Sequence, residues 1–214
     1  MRCRTVKLIN IAQEIFELEI TKPLGFDFIA GQYVDLQIIN PKLSDNMGDT
    51  RSLSILSSPN DPTIKFLFKQ GITAFKNNLK NLKEGDELSI TQPKGKFTCK
   101  DVAKSVFIAG GVGVAPILSI IRTQTSIPKA GLFSFSTNDS APYLEEIKKY
   151  GKIFITKEKS KFINRRINTN DLAPYRDKEF YICGSSAFIS GVLLMLENLK
   201  IEESKIKTED FIGY

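Results

Sequence analysis

The stretch VFIAGGVGVAP, Val106 to Pro116, is where the chain changes character. Val106-Phe107-Ile108-Ala109 is an unbroken apolar run, the pattern of a strand covered on both faces. Gly110, Gly111 and Gly113 follow it, where the backbone must turn sharply or lie close to something. Pro116 suits the first turn of a helix, whose leading N–H groups have no intrahelical partner, and Ile117, Leu118, Ile120 and Ile121 give that helix an apolar face. Strand, glycine turn and helix start together make a place for a phosphate or a flat ring.

The rhythm differs on the two sides of this stretch. Up to about residue 100 the chain consists of short alternating or apolar runs, IFELEIT, YVDLQII, IKFLF and ELSIT, set between turn signals such as Pro-Leu-Gly, Asn-Asp-Pro and Glu-Gly-Asp. That pattern predicts a small antiparallel β-barrel or sandwich, with one helical piece at Thr73 to Leu82 behind a Thr N-cap. From residue 104, the strand-like VFIAG, GLFSFS, KIFIT and EFYICG alternate with helical segments expected at 114–124, 141–150 and 186–199. Such alternation predicts βαβ units around a parallel sheet. The expected organisation is two domains, 1–100 and 101–214, with the boundary near Lys100 to Lys104.

Composition narrows the chemistry. The 214 residues contain no histidine, which removes the commonest general base, the commonest metal ligand and every Ser-His or Cys-His nucleophile. Cys3, Cys99 and Cys183 are scattered and form no C-x-x-C pair, so no disulfide framework, metal site or iron–sulfur cluster is expected. No apolar run reaches the length of a membrane span, and MRCRTVKLIN lacks the apolar core of a signal peptide, so the expected compartment is the cytoplasm. The formal charge of +6 is shared evenly by the two halves, and the one basic cluster, KEKSKFINRR, has little aromatic interleaving, so nucleic acid is not an expected partner. That cluster reads as a solvated loop, or as a site for a phosphate or an acidic protein.

Four stretches carry chemistry as a set: Arg51-Ser52-Leu53-Ser54 in the first half, Gly71 to Lys76 (GITAFK), GGVGVAP, and Tyr181 to Phe188 (YICGSSAF). With Gly31-Gln32-Tyr33, the turn Leu82 to Asp86 and the closing TEDFIGY, this ordered set resembles the ferredoxin–NADP reductase superfamily over nearly the whole chain. The resemblance implies a flavin-binding barrel followed by a nicotinamide-nucleotide domain. It implies that Arg51 pairs with a flavin phosphate, which suits a planar charged donor, and that Ser54 places a hydroxyl beside flavin N5. Leu53 stands where the family has an aromatic residue, so an apolar wall without stacking is expected there. Thr73 is an ordinary helix cap whose helix would present N–H groups to the flavin pyrophosphate, near Gly71, Lys69 and Lys76. Gly110, Gly111, Gly113 and Pro116 match the family's G-G-x-G-x-x-P loop, and Cys183-Gly184 its C-G pair near nicotinamide C4, although a cysteine is also commonly a small buried hydrophobe. Glu209 matches an acidic position that would assist protonation. Phe211 and Tyr214 are either aromatic lids over the flavin or, for Phe211, core packing.

The implied activity is hydride transfer from NADH or NADPH to a bound flavin, FAD or alternatively FMN, and onward to a separate acceptor such as an acidic electron-carrier protein or a small molecule. Cofactors supply that chemistry, and the protein supplies proximity and exclusion of water. Ser136-Thr137-Asn138-Asp139 lacks an arginine for a 2′-phosphate, which favours NADH unless Arg165, Arg166 or the lysines at 157, 159 and 161 fold over. A free-flavin reductase and a non-catalytic flavin- or nucleotide-binding redox sensor are the alternatives.

Overall fold

Alternation in the first half produces a closed barrel. The computed structural model describes residues 1–124 and 130–210. Six antiparallel strands, β1 (Arg2–Ala12), β2 (Ile15–Thr21), β3 (Tyr33–Ile38), β4 (Thr50–Ser54), β5 (Thr63–Lys69) and β6 (Glu87–Ile90), run in the order β4-β3-β6-β1-β2-β5. An antiparallel bridge between Ile55 and Phe66, with Leu56 N–H donating to the Lys65 carbonyl at 2.8 Å, joins the outer strands and removes the open edges. Leu18, Ile20, Val34, Leu36, Ile64, Phe66 and Leu88 point inward and are almost fully buried. The helix α1 (Ala74–Lys80) follows β5 and buries Phe75 and Leu79 against one end of this core.

The second half is a five-stranded parallel sheet. Its strands are β7 (Ser105–Gly110), β8 (Gly131–Phe135), β9 (Gly151–Ile155), β10 (Glu179–Gly184) and β11 (Ile206–Asp210), in the order β11-β10-β7-β8-β9. Phe107, Ala109, Phe133, Tyr181 and Cys183 face α2 (Val114–Arg122), whereas Val106, Ile108, Leu132, Phe180 and Ile182 pack with Ile189, Val192 and Leu196 of α5 (Ser186–Asn198). Burial on both faces is why these strands are apolar throughout. Two short helices, α3 (Leu144–Ile147) and α4 (Thr169–Leu172), complete the half.

One sequence expectation changes, and two strands are added to those the sequence showed. The helix expected at 141–150 is only the four residues of α3, because Pro142 and a left-handed Tyr143 (φ +54°) delay its start. β1 is a full strand although its exposed cations hide the pattern: Cys3 and Thr5 face inward, and register breaks after Thr5 and Asn10 disrupt the period of two. β11, which takes in the first residues of the TEDFIGY motif, is an edge strand of mixed polarity beside β10.

The halves share a core. Ala30, Leu56, Leu67 and Phe97 of the first half pack in one cluster with Val114, Ile117, Leu118 and Ile121 of α2. Buried Ser119 donates to the Ser57 carbonyl at 2.7 Å, and Arg122 reaches the Leu56 carbonyl at 3.3 Å while holding Glu146 through two bonds of 2.7 and 2.9 Å. Among the described residues no helix is long and apolar enough to cross a membrane.

Candidate active site

In the parallel sheet, β7 is followed in sequence by β8 on one side and has β10 on the other, so the strand order reverses between β7 and β10. Open α/β sheets bind ligands outside the carboxyl ends of their strands at such a point. Gly110-Gly111 and Cys183-Gly184 lie there. A cavity of about 1040 Å³ opens over Gly110 and Gly111, lined also by Ser185 and Phe188 from this half and by Met47, Lys69, Thr73 and Lys76 from the barrel half; Cys183 and Gly184 lie beneath its wall.

The three glycines serve three needs. Gly111 has φ +58°, which favours glycine, and the space above its Cα is open, so a ligand can approach the backbone there. A Cβ on Gly110 would lie 3.0 Å from the ring of Phe188, and one on Gly184 would lie 2.8 Å from it; both residues are bare so that this ring can rest on the two strand ends. A Cβ on Gly113 would stand 2.3 Å from the Cys183 carbonyl oxygen, so Gly113 lets the turn after β7 pack onto the end of β10. Pro116 is buried in the first turn of α2, where its missing N–H costs nothing.

Cys183 is fully buried and sits in register with Glu209 of the neighbouring β11. Burial, then the charges of Glu209 and Asp210, push its thiol well above the usual range, so it stays protonated near neutrality and contributes shape. Burial also raises Glu209, to about 7. Glu209 reaches toward the barrel: a Cβ on Gly95 would be 3.9 Å from its Oε2 and 3.0 Å from the Tyr33 ring. Tyr33 pairs across the barrel sheet with Ser54, which is 4% exposed. Ser54, Tyr33, Gly95, Glu209 and Cys183 thus form one connected path from the barrel to the switch point.

No family model matches the chain. The propane 2-monooxygenase reductase component of Mycolicibacterium goodii is 35% identical over 146 residues, covering 63% of this chain and 40% of that protein. The anthranilate 1,2-dioxygenase electron transfer component of Acinetobacter baylyi is 27% identical over 231 residues, covering 97% of this chain and 65% of that protein. A ferredoxin–NADP+ reductase of Neisseria gonorrhoeae, solved with bound FAD and NADP, superposes with a TM-score of 0.80 over 99% of this chain and 98% of that one, at 15% identity, a likeness of fold. The sequence relatives and structural neighbours of this chain are ferredoxin–NADP reductase-like flavoprotein reductases. It spans less than two thirds of the length of these two sequence relatives.

The barrel side of this site has features of its own. Arg51 donates to the carbonyls of Met47 (2.8 Å), Gly48 (3.3 Å) and Thr50 (2.6 Å) and lies over the Phe75 ring, while its buried Nη2 has no partner among the described residues. A buried guanidinium nitrogen without an acceptor is costly, and an anion would satisfy it. Ser52 points outward and bonds Asp35 at 2.6 Å. Leu53 does not form the wall expected of it: strand alternation puts it opposite Val34 in the barrel core, 2% exposed. Thr73 caps α1 by accepting from Lys76 N–H at 3.3 Å, and the bare Cα of Gly71 makes room for the Lys76 side chain. The first α1 amide is already engaged, because Ala74 N–H donates to Asp45 at 2.7 Å.

Asn138 and Glu158 are next in sequence to Thr137 and Lys157 of the cavity wall, and Asn138 donates through its main chain (2.6 Å) and side chain (2.5 Å) to Glu158, placing a carboxylate beside the loop after β8. Arg165 is held by two bonds of 2.6 and 2.8 Å to Asp171 and is committed there rather than folded over the cavity. Phe211 and Tyr214 lie outside the described residues. Asp45 and Glu158 are the residues that sequence reading missed, being single acids in polar loops; Phe188 lay inside a stretch already singled out, but without a role of its own.

Proposed function

We propose that this chain is a flavoprotein reductase with a flavin-binding barrel over 1–100 and a nucleotide domain over 101–214, which takes hydride from NADH onto FAD and passes electrons to a separate acceptor. The observation that carries this reading is that the switch point of the parallel sheet and the cationic end of the barrel open into one cavity. The names of the relatives, a monooxygenase reductase component and a dioxygenase electron transfer component, support the same division of labour. The net charge of +6 favours an acidic acceptor, and the free thiols of Cys3, Cys99 and Cys183 agree with the cytoplasm.

The residues present fit a flavin and a nicotinamide nucleotide: an unsatisfied guanidinium nitrogen at Arg51 and open backbone at Gly111 are what phosphates require. When bound, the flavin and the nicotinamide supply the hydride chemistry. Arg51, Lys69 and Lys76 hold phosphate charge, and Ser54 offers its hydroxyl to the ring edge. Gly111, whose backbone is open to the cavity, gives a flat ring or a phosphate room at the end of the sheet, with the Phe188 ring beside it. Glu209 holds or releases a proton at its carboxyl oxygens near neutral pH. Glu158 favours a ribose diol over a 2′-phosphate, hence NADH.

Anaerobic mixing of flavin-reconstituted protein with NADH, and separately with NADPH, tests the proposal by loss of the oxidised flavin's visible absorbance. NADH should bleach it faster. Bleaching by neither, with flavin demonstrably bound, would turn the reading to a binding or sensing module. A free-flavin reductase is the second reading, favoured by Leu53, whose place in the core leaves no aromatic ring at that position to stack on the flavin.

A further inference from the structure

A second cavity, of about 660 Å³, lies on the barrel half at the opposite end of α1 from the first. Its volume is that of a small-molecule site, roughly 300–1000 Å³. Ile38, Ile39, Pro41 and Leu82 give it an apolar lining, and Leu43 adds an apolar side chain that is 50% exposed. Leu43 is fixed there by α1: its N–H donates to Asn78 Oδ1 at 3.0 Å and its carbonyl accepts from Asn78 Nδ2 at 2.7 Å. Asn78 is itself buried, so this wall is preformed.

The charges around the cavity do not cancel once their partners are counted. Glu87 faces Arg2 at 3.6 Å and Arg4 at 3.5 Å, and Asp86 accepts from the Lys83 main-chain N–H at 2.8 Å. The side chains of Lys42 and Lys83 make no ion pair or hydrogen bond among the described residues. An apolar lining beside two uncommitted ammonium groups suits a molecule with a hydrocarbon body and one anionic end.

We propose that this cavity binds a small amphipathic carboxylate and that its occupancy strengthens flavin binding. The site stands without the flavoprotein reading above, whereas the linkage rests on it. The loop between β3 and β4, which walls the cavity at Leu43, goes on to supply the Met47 and Gly48 carbonyls that hold Arg51 at 2.8 and 3.3 Å. A ligand packed against Leu43 steadies that loop, and with it the guanidinium whose buried nitrogen awaits an acceptor. Linkage is reciprocal, so flavin must raise the carboxylate's affinity by the same factor.

The test follows the methyl resonances of Ile38, Ile39, Leu43 and Leu82 in labelled protein titrated with octanoate, with octanamide and inorganic phosphate as comparators. Octanoate should shift these methyls saturably, octanamide about tenfold more weakly, and phosphate not at all. Lys42→Gln combined with Lys83→Gln should bring octanoate down to the level of octanamide. Leu43→Glu, at an exposed position, should abolish binding with the fold intact. No saturable shift with octanoate, octanamide bound as tightly as octanoate, or shifts spread over the surface instead of these four methyls would each overturn the site. FAD titration by quenching of flavin fluorescence reads the linkage: octanoate should lower the wild-type Kd about fivefold and leave that of Leu43→Glu unchanged. A wild-type Kd that octanoate does not move overturns the linkage. FAD bound by neither protein defeats the flavoprotein reading and the linkage with it, while the methyl shifts decide the site on their own.

Discussion

Glu209 shows how placement changes a residue's chemistry. An acid at an edge strand reads as solvated, yet burial raises it to about 7 from an ordinary value of 4.5. The folded chain therefore holds this proton more tightly than the unfolded chain, and wild-type stability falls as pH rises from about 4.5 to about 7, with the full cost present above that. Glu209→Gln removes the titration. The variant's gain in melting temperature over wild type, measured on apo-protein, should be near zero at the acid end and grow through that window. A gain independent of pH would show that Glu209 is solvated. Resemblance to the family's motifs made Arg51, Ser54, Cys183 and Glu209 legible as candidates; read alone, Cys183 is an ordinary small buried hydrophobe. The resemblance could not show that Arg51 is held by Met47 and Gly48, since those contacts come from a loop whose polar residues obey no period.

At the level of elements, the ends of β7 and β10 are built against each other. Gly113 touches the Cys183 carbonyl and Phe188 covers Gly110 and Gly184, so both turns depend on missing side chains. Gly113→Ala would put a Cβ 2.3 Å from a backbone oxygen, which cannot swing away as a side chain can. We expect a loss of about 1–3 kcal/mol in unfolding free energy. FAD affinity should be nearly unchanged if, as proposed, the barrel holds the flavin, and reduction by NADH should slow about tenfold or more as the switch point shifts. Denaturant unfolding, fluorescence titration and rapid mixing separate the three quantities, and wild-type stability with a wild-type rate would refute the packing argument. EFYICG was readable to its ends because both faces of β10 are buried. β1 and β11 were not, because a strand at an edge, or one broken by bulges, buries too little of either face to show alternation.

Across the whole molecule, each half keeps a core cluster of its own, and one further cluster spans both. Phe97 belongs to the first half, yet it packs edge-on against Tyr181 with ring centroids 5.5 Å apart and joins the cluster around α2. The sequence marks the change of rhythm near residue 100, whereas this shared packing depends on side chains far apart in the chain and leaves no local trace. Hydride transfer needs two ring edges held at a fixed approach, and halves that moved independently would dilute that geometry. The common core and the Ser119 and Arg122 bonds to the barrel half supply the rigidity. Calorimetry of the apo-protein should therefore show one cooperative transition, with a calorimetric to van't Hoff enthalpy ratio of about 1. Phe97→Ala removes a fully buried ring from the junction and should cost about 3–5 kcal/mol. Its effect on transfer should exceed its effect on either ligand's affinity, because it loosens the relation between two sites and leaves each site intact. Two separate transitions in the wild-type protein would mean that the halves fold independently, and the fixed approach would then have to come from the bound cofactors.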